Sequence, residues 1–345
     1  MYSFSYTDAK TKLIGMAREQ LPENFQPHAA TIVDLHLRDD ALAMPDMSEE
    51  DYQAIRTAIL DRADVNALPN LLNLEETSTR AGMFRVLART HLNRQGLGRV
   101  TKYAVDKTRS PRIMGALALW DLENPIAEPE NQKLFLEQWI AFAERHSQDE
   151  TERALHYSGE AINTLRIIFD RCETVNLVGT EFSARRLQLN HGGDVSWWKI
   201  ALGLLSGLSF LQMRRWDCFE RTQDRALQPI DILTLISECN RNVKEFGDAL
   251  AGSFYGDLGG TQFVKLDTHV IASLSVLGYA QNSNADKIQS LMNIGTANGQ
   301  SPRILDKLLY FACSGNFPLV DLKLQRPRQA KEEFLNWLNL NKRPL

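Results

Sequence analysis

The sequence predicts a mostly all-α protein, and three observations carry that expectation. Apolar residues recur at spacings of three and four in Tyr52 to Leu60, Leu134 to Phe142, Ala161 to Phe169 and Ile304 to Phe311, the period of one helix face. Strand-like alternation is scarce: Ala30 to Leu37 reads as a short strand, and one strand makes no sheet. The 345 residues are 43% hydrophobic, enough apolar mass to bury one large core or two modest ones.

At the N-terminus no basic region leads into an apolar one. The longest apolar runs, such as Ala201 to Leu211, fall short of the roughly 20 residues that cross a bilayer. The expectation is a chain with no membrane partner, cytoplasmic by default. Asp39 to Asp64 is acid-rich, whereas Thr79 to Ile113 holds nine Lys or Arg against one Asp, which implies a change of face or partner. Pro125 to Pro129 with acidic neighbours reads as a turn, and Asn-His-Gly-Gly-Asp from Asn190 to Asp194 is a loop signal before a new apolar run. These breaks predict an N-terminal helical region with a basic tract over 1–125, a helical region without further assignment over 126–189, and a C-terminal region over 190–345. Cys172, Cys218, Cys239 and Cys313 are too sparse and too widely spaced for a disulfide framework or a CxxC metal knuckle, and read as core residues. The net charge of −4 gives no global attraction to nucleic acid, so any such binding has to come from a local basic surface.

Gln228 to Tyr279 reads as three helices with short connections. Pro229 and Asp231 suit a first helical turn ahead of Ile232, Leu233, Leu235 and Ile236. A turn is expected at Asn240 to Gly247, a short helix over Asp248 to Phe254, and a loop at the Gly256 to Gly260 cluster. Phe263-Val264-Lys265-Leu266-Asp267-Thr268-His269-Val270 then leads into an amphipathic run through Ile271, Leu274 and Leu277. Asp267 is placed to cap that helix, where backbone amides and the helix dipole favour an ionised carboxylate.

Leu266-Asp267-Thr268-His269-Val270, with Gly247 twenty residues before Asp267 and Ala251 on the helix between, resembles the core of the helix-hairpin-helix DNA glycosylases. The motif of that family is a glycine-containing hairpin followed, at this spacing, by a Val-Asp-Thr-His-like sequence. Ser301 to Phe311 looks like the last core helix of some members, so the resemblance spans about 190 to 320. It implies a helix-hairpin-helix glycosylase-like core within 190–345, behind an additional helical N-terminal region. Gly247 falls on the second hairpin glycine, and Glu245 stands where the first glycine usually is. Ala249 occupies the position of the lysine nucleophile in the lyase subgroup, which implies a monofunctional enzyme. Lys244 and Lys265 are the lysines near enough in sequence to act as displaced nucleophiles.

The activity so implied is hydrolysis of the N-glycosidic bond to a damaged or modified base. Breaking that bond builds positive charge on the deoxyribose, much as in glycoside hydrolysis, and a fixed anion lowers the barrier. Asp267 takes the catalytic position; serving only as a helix cap is the alternative, and the two roles are compatible. No cofactor is implied, and a structural monovalent cation at the hairpin is the one ion the resemblance allows. The partner is DNA with a modified base, gripped at Gly247, Lys244 and His269 and, through phosphates, by the basic tract: Arg85, Arg89, Arg94, Arg99 and Lys102. An extruded base needs a pocket of aromatic and polar groups, for which Trp197, Trp198, Trp216, Phe254 and Tyr255 are candidates, with core packing as their other reading. Two competing functions are a non-catalytic DNA-binding relative and a helical protein-interaction scaffold. Unusually bulky modified bases, as in foreign DNA, would suit the long N-terminal half.

Overall fold

Ser5 ends an extended stretch at φ −79° and ψ 122°, and its hydroxyl accepts the Asp8 amide. That cap starts α1 (Tyr6–Gln20), followed by a 3-10 turn (Glu23–His28), α2 (Ala29–His36) and α3 (Glu49–Leu60). The computed structural model describes residues 2–38, 49–61, 83, 86, 87, 90, 91, 203, 206, 207, 210, 211, 220–224, 226–320 and 322–345. Leu134 to Phe142, Ala161 to Phe169 and the expected boundaries near 125 and 189 lie outside them.

The described residues are mostly helical, as the apolar periodicity predicts, and Tyr52 to Leu60 and Ile304 to Phe311 are helical where expected. Ala30 to Leu37 is a correction: it lies in α2, not in a strand. The β-branched run Thr31-Ile32-Val33 favours a strand locally, but Ala29, Ile32, Val33 and His36 form one buried helical face, packed against α1. Tertiary burial overrides a local preference worth only a few tenths of a kcal/mol per residue.

After the central part of the chain come α4 (Pro229–Asn242), α5 (Asp248–Asp257), α6 (Thr268–Val276), α7 (Asn284–Asn298), α8 (Pro302–Ser314) and α9 (Pro327–Asn341). The second helix of the expected trio thus runs one turn beyond Phe254, into the glycine cluster. A capping box of Ser283 and Asp286 starts α7, and Ser301 Oγ accepts the Ile304 amide (3.2 Å) to start α8, with Pro302 in its first turn. Short antiparallel pairs join β1 (Tyr2–Ser3) to β4 (Arg343–Pro344) and β2 (Asn316–Phe317) to β3 (Leu322–Lys323).

The chain divides into two compact units. The first comprises 1–75, 219–237 and 251–345. Its centre is α8, whose Leu305, Leu308, Leu309 and Ala312 are fully buried, and which packs against α1, α6, α7 and α9. Each such leucine contributes about 1.5–3 kcal/mol of burial, so α8 is the main structural support of this unit. The second unit comprises 76–218 and 238–250. Within it Met83, Val86, Leu87, Thr90 and His91 are buried and helical, as are Gly203, Gly207, Phe210 and Leu211 at helical spacing. A Cβ on Gly203 would fall 2.3 Å from the His91 ring, and one on Gly207 2.4 Å from Leu87, so these glycines allow the helical segments to approach closely.

Candidate active site

The helical pair α4 and α5 is joined by a tight turn over 243–247. Glu245 has φ +65°, the left-handed conformation that ordinarily selects glycine. The turn is tied within its own unit: Ser206 Oγ accepts the Lys244 amide (2.9 Å), and the Phe246 ring stacks on His91 at 5.7 Å. Among the described residues nothing lies within 4 Å of a Cβ added at Gly247.

Beyond α5 the chain turns back across that helix. Gly252 is required there, since a Cβ would sit 2.2 Å from the Val264 carbonyl oxygen. The crossing delivers Lys265 to Asp267 to the start of α6. Asp267 is the N-cap, at φ −89° and ψ 179°, and its Oδ1 accepts the amides of His269 (2.8 Å) and Val270 (3.0 Å). Oδ2 faces Lys265 Nζ at 4.0 Å, and the Asp267 side chain is 14% exposed. One oxygen is therefore spent on the helix, while the other stays beside a cation.

Tyr310 of α8 closes the other side: Lys265 Nζ stands over its ring at 5.2 Å, and His269 meets it edge-on at 5.7 Å. Burial lowers the His269 pKa; Asp267 opposes that shift, and the cationic Lys331 and Lys265 reinforce it. Its Nδ1 is buried without a hydrogen-bond partner among the described residues. Below, Ser273 Oγ lies 3.4 Å from Cys313 Sγ, and burial pushes this thiol up to about 11, which removes it as a nucleophile at neutral pH. Cys239 and Cys313 are buried, whereas Cys172 and Cys218 lie outside the described residues.

Of the sequence-predicted site residues, Asp267 and His269 are brought together at one helix start. Gly247 and Lys244 belong to the 243–247 turn. Phe254 and Tyr255, candidates for a base pocket with core packing as their other reading, are both fully buried: Tyr255 packs on Phe263 at 4.8 Å, and its hydroxyl donates to the Leu235 carbonyl (3.3 Å). Arg85, Arg89, Arg94, Arg99, Lys102, Trp197, Trp198 and Trp216 lie outside the described residues.

Sequence reasoning missed Tyr310, Arg303, Asp306 and Lys331. Arg303 and Asp306 stand three apart in the predicted helix Ser301 to Phe311, which was an available sign of an ion pair. Nothing in the sequence indicated that both charges turn inward. Among the described residues no group of three or more His, Cys, Asp or Glu side chains is placed to hold a metal ion, and no helix is long and apolar enough to cross a membrane. No family model, curated protein or solved structure matches this chain.

Proposed function

We propose that this chain is a monofunctional DNA N-glycosylase with a divergent helix-hairpin-helix core, and that it excises a modified base by hydrolysis at Asp267. The observation that carries this reading is the division of labour at Asp267: Oδ1 is fixed by two backbone amides of α6, which leaves Oδ2 rigidly aimed and partly shielded from water. An anion so held needs no reorganisation as positive charge develops on the deoxyribose, the condition under which electrostatic stabilisation is most effective. Oδ2 also has the geometry of an acceptor that orients an attacking water.

Two further features support the reading. The α4–α5 turn has the left-handed residue that a glycine hairpin would have, at Glu245, so the backbone path does not depend on the missing glycine. The uncharged methyl of Ala249 replaces the lysine of lyase-active relatives, which favours hydrolysis over Schiff-base chemistry. His269, whose burial favours the neutral imidazole, acts here as a hydrogen-bonding contact to DNA and not as a base. The basic tract from Arg80 to Arg112 supplies the phosphate grip. No step uses a cofactor or an ion at the hairpin.

The test is incubation of the full-length protein with DNA carrying oxidised, alkylated or bulky modified bases, including phage DNA, followed by mild alkali. Wild type is expected to leave alkali-labile abasic sites on at least one substrate, and Asp267→Asn to lose at least about a hundredfold of that rate, the size of effect seen when a fixed transition-state partner is removed. Equal cleavage by both proteins would remove Asp267 from the chemistry. DNA binding without cleavage on any substrate would point to the non-catalytic relative instead.

A further inference from the structure

Behind the Asp267 turn lies a buried ionic group that the proposed reaction does not use. Asp306, 3% exposed, accepts the Lys265 amide (2.9 Å) and Arg303 Nη1 (2.9 Å) on the same oxygen, Oδ2, while its Oδ1 is buried with no hydrogen-bond partner among the described residues. Arg303, 7% exposed, also pairs through Nη2 with Asp257 at the end of α5. Gly256 leaves the room for it, since a Cβ there would be 2.7 Å from the guanidinium carbon. A buried charge group of this kind costs several kcal/mol per ion in lost hydration, and an apolar replacement is often no less stable. Global stability therefore gives little account of it.

Its position suggests another role. Lys265 is held on both sides of its own residue: its amide donates to Asp306, and its carbonyl accepts the Asp267 amide at 2.6 Å. The Asp306 carboxylate is thus one hydrogen-bonded step from the turn that sets Asp267. We propose that Asp306, backed by Arg303, is a positioning residue whose ionised carboxylate holds the Lys265–Asp267 turn in its working geometry, so that proton uptake by Asp306 loosens the site. The chemical consequence rests on the glycosylase reading; the linkage between the two carboxylates does not.

The groups acting on Asp306 are Arg303 on its own helix and Lys265 and Asp267 on the segment before α6, with Asp257 of α5 reaching it through Arg303. On the α6 and α9 side, Lys331 acts on His269 and on Cys313. Burial pushes the Asp306 carboxyl up to about 6; Arg303 and the Lys265 amide pull it down, and Asp267 adds to the rise. A protonated Asp306 keeps an acceptor for the Lys265 amide but loses the charge that makes such a bond about twice as strong as a neutral one. Asparagine reproduces that weakened state at every pH.

The test follows the backbone amide shifts of Lys265, His269 and Val270 in the full-length protein from about pH 5 to about pH 8, in wild type and in Asp306→Asn. In wild type all three are expected to move with one shared midpoint, and in Asp306→Asn that midpoint should disappear while the melting transition stays cooperative. Excision by Asp306→Asn at neutral pH should fall about tenfold, in kcat more than KM, and lose its rise through the wild-type midpoint, with Asp306→Glu recovering part of both. A midpoint that persists in Asp306→Asn overturns the proposal, as does a Lys265 shift that leaves His269 and Val270 unmoved. If Asp306→Asn does not fold, the wild-type titration alone decides, through the presence or absence of the shared midpoint. Absence of excision by wild type would overturn the glycosylase reading while the amide shifts still decide the linkage.

Discussion

Asp267 caps a helix with one carboxylate oxygen and faces Lys265 with the other, and the two roles separate on substitution. Asparagine is about as good an N-cap as aspartate, whereas alanine loses about 1 kcal/mol at such a position. Asp267→Ala is therefore expected to unfold at lower urea than wild type by about that amount, with Asp267→Asn close to wild type. Comparable losses in both variants would mean that the charge, and not the cap, stabilises α6. Glu245 offers a second test at this scale. A non-glycine residue in the left-handed region costs about 1 kcal/mol or more, partly offset by the greater chain entropy of glycine. Glu245→Gly is expected to raise stability by up to about 1 kcal/mol in urea unfolding, and a loss would show that contacts of the Glu245 side chain outweigh its strained backbone. The cap at Asp267 was legible in the sequence because capping is local chemistry. The residues that face it, Tyr310 and Lys265, were not legible as a group, because their meeting depends on how α8 packs against α6.

Among the elements, the crossing of α5 by the segment ahead of α6 sets the site. Gly252 is the point of contact, and a Cβ there would overlap the Val264 carbonyl at 2.2 Å. Gly252→Ala is expected to cost about 1–3 kcal/mol, the usual penalty of overpacking, and to lower any activity of Asp267 further than the stability loss alone, because Val264 is three residues from it. A fully stable and active variant would show that the crossing tolerates a shift of the segment. The glycine cluster at 256–260 predicts a loop, and the helix instead continues to Asp257. Gly256 stays helical because its missing side chain makes room for Arg303, a reason that lies in another helix. The strand expected at Ala30 to Leu37 failed for a related reason: its β-branched residues are one stripe of a buried helical face.

At the scale of the whole molecule, pH acts on the first unit through His36. Its Nδ1 donates to the Ile32 carbonyl (2.7 Å) and its Nε2 accepts the Leu319 amide (3.1 Å), which joins α2 to the turn after α8 as a neutral ring. Burial lowers its pKa to about 4, from 6.5 when unfolded. Below pH 6.5 the unfolded chain takes up a proton that the folded chain refuses, so this contribution is fully present above 6.5 and is lost as pH falls toward 4. The whole effect is on the order of 3 kcal/mol. Asp306, raised to about 6 by burial, acts with the opposite sign over part of that range, since its protonated form is favoured in the fold. The stability difference between wild type and His36→Asn cancels the Asp306 part. It is expected to shrink between neutral pH and about pH 4.5 in urea unfolding, and a constant difference would mean that His36 does not titrate below its free value.

Helical class, the cap at Asp267, the turn before α5 and the start of α8 followed from the sequence alone. Each is decided within a few residues, by apolar period, capping oxygens and turn chemistry. Which side chains meet was decided only by tertiary packing: burial turned Phe254 and Tyr255 into core, and α8 carried Tyr310, Arg303 and Asp306 to the turn at Asp267. A buried charge can be held by partners far along the chain, and local pattern gives no measure of that distance. The same limit applies to Glu245, whose side chain gave no sign of the left-handed backbone it adopts.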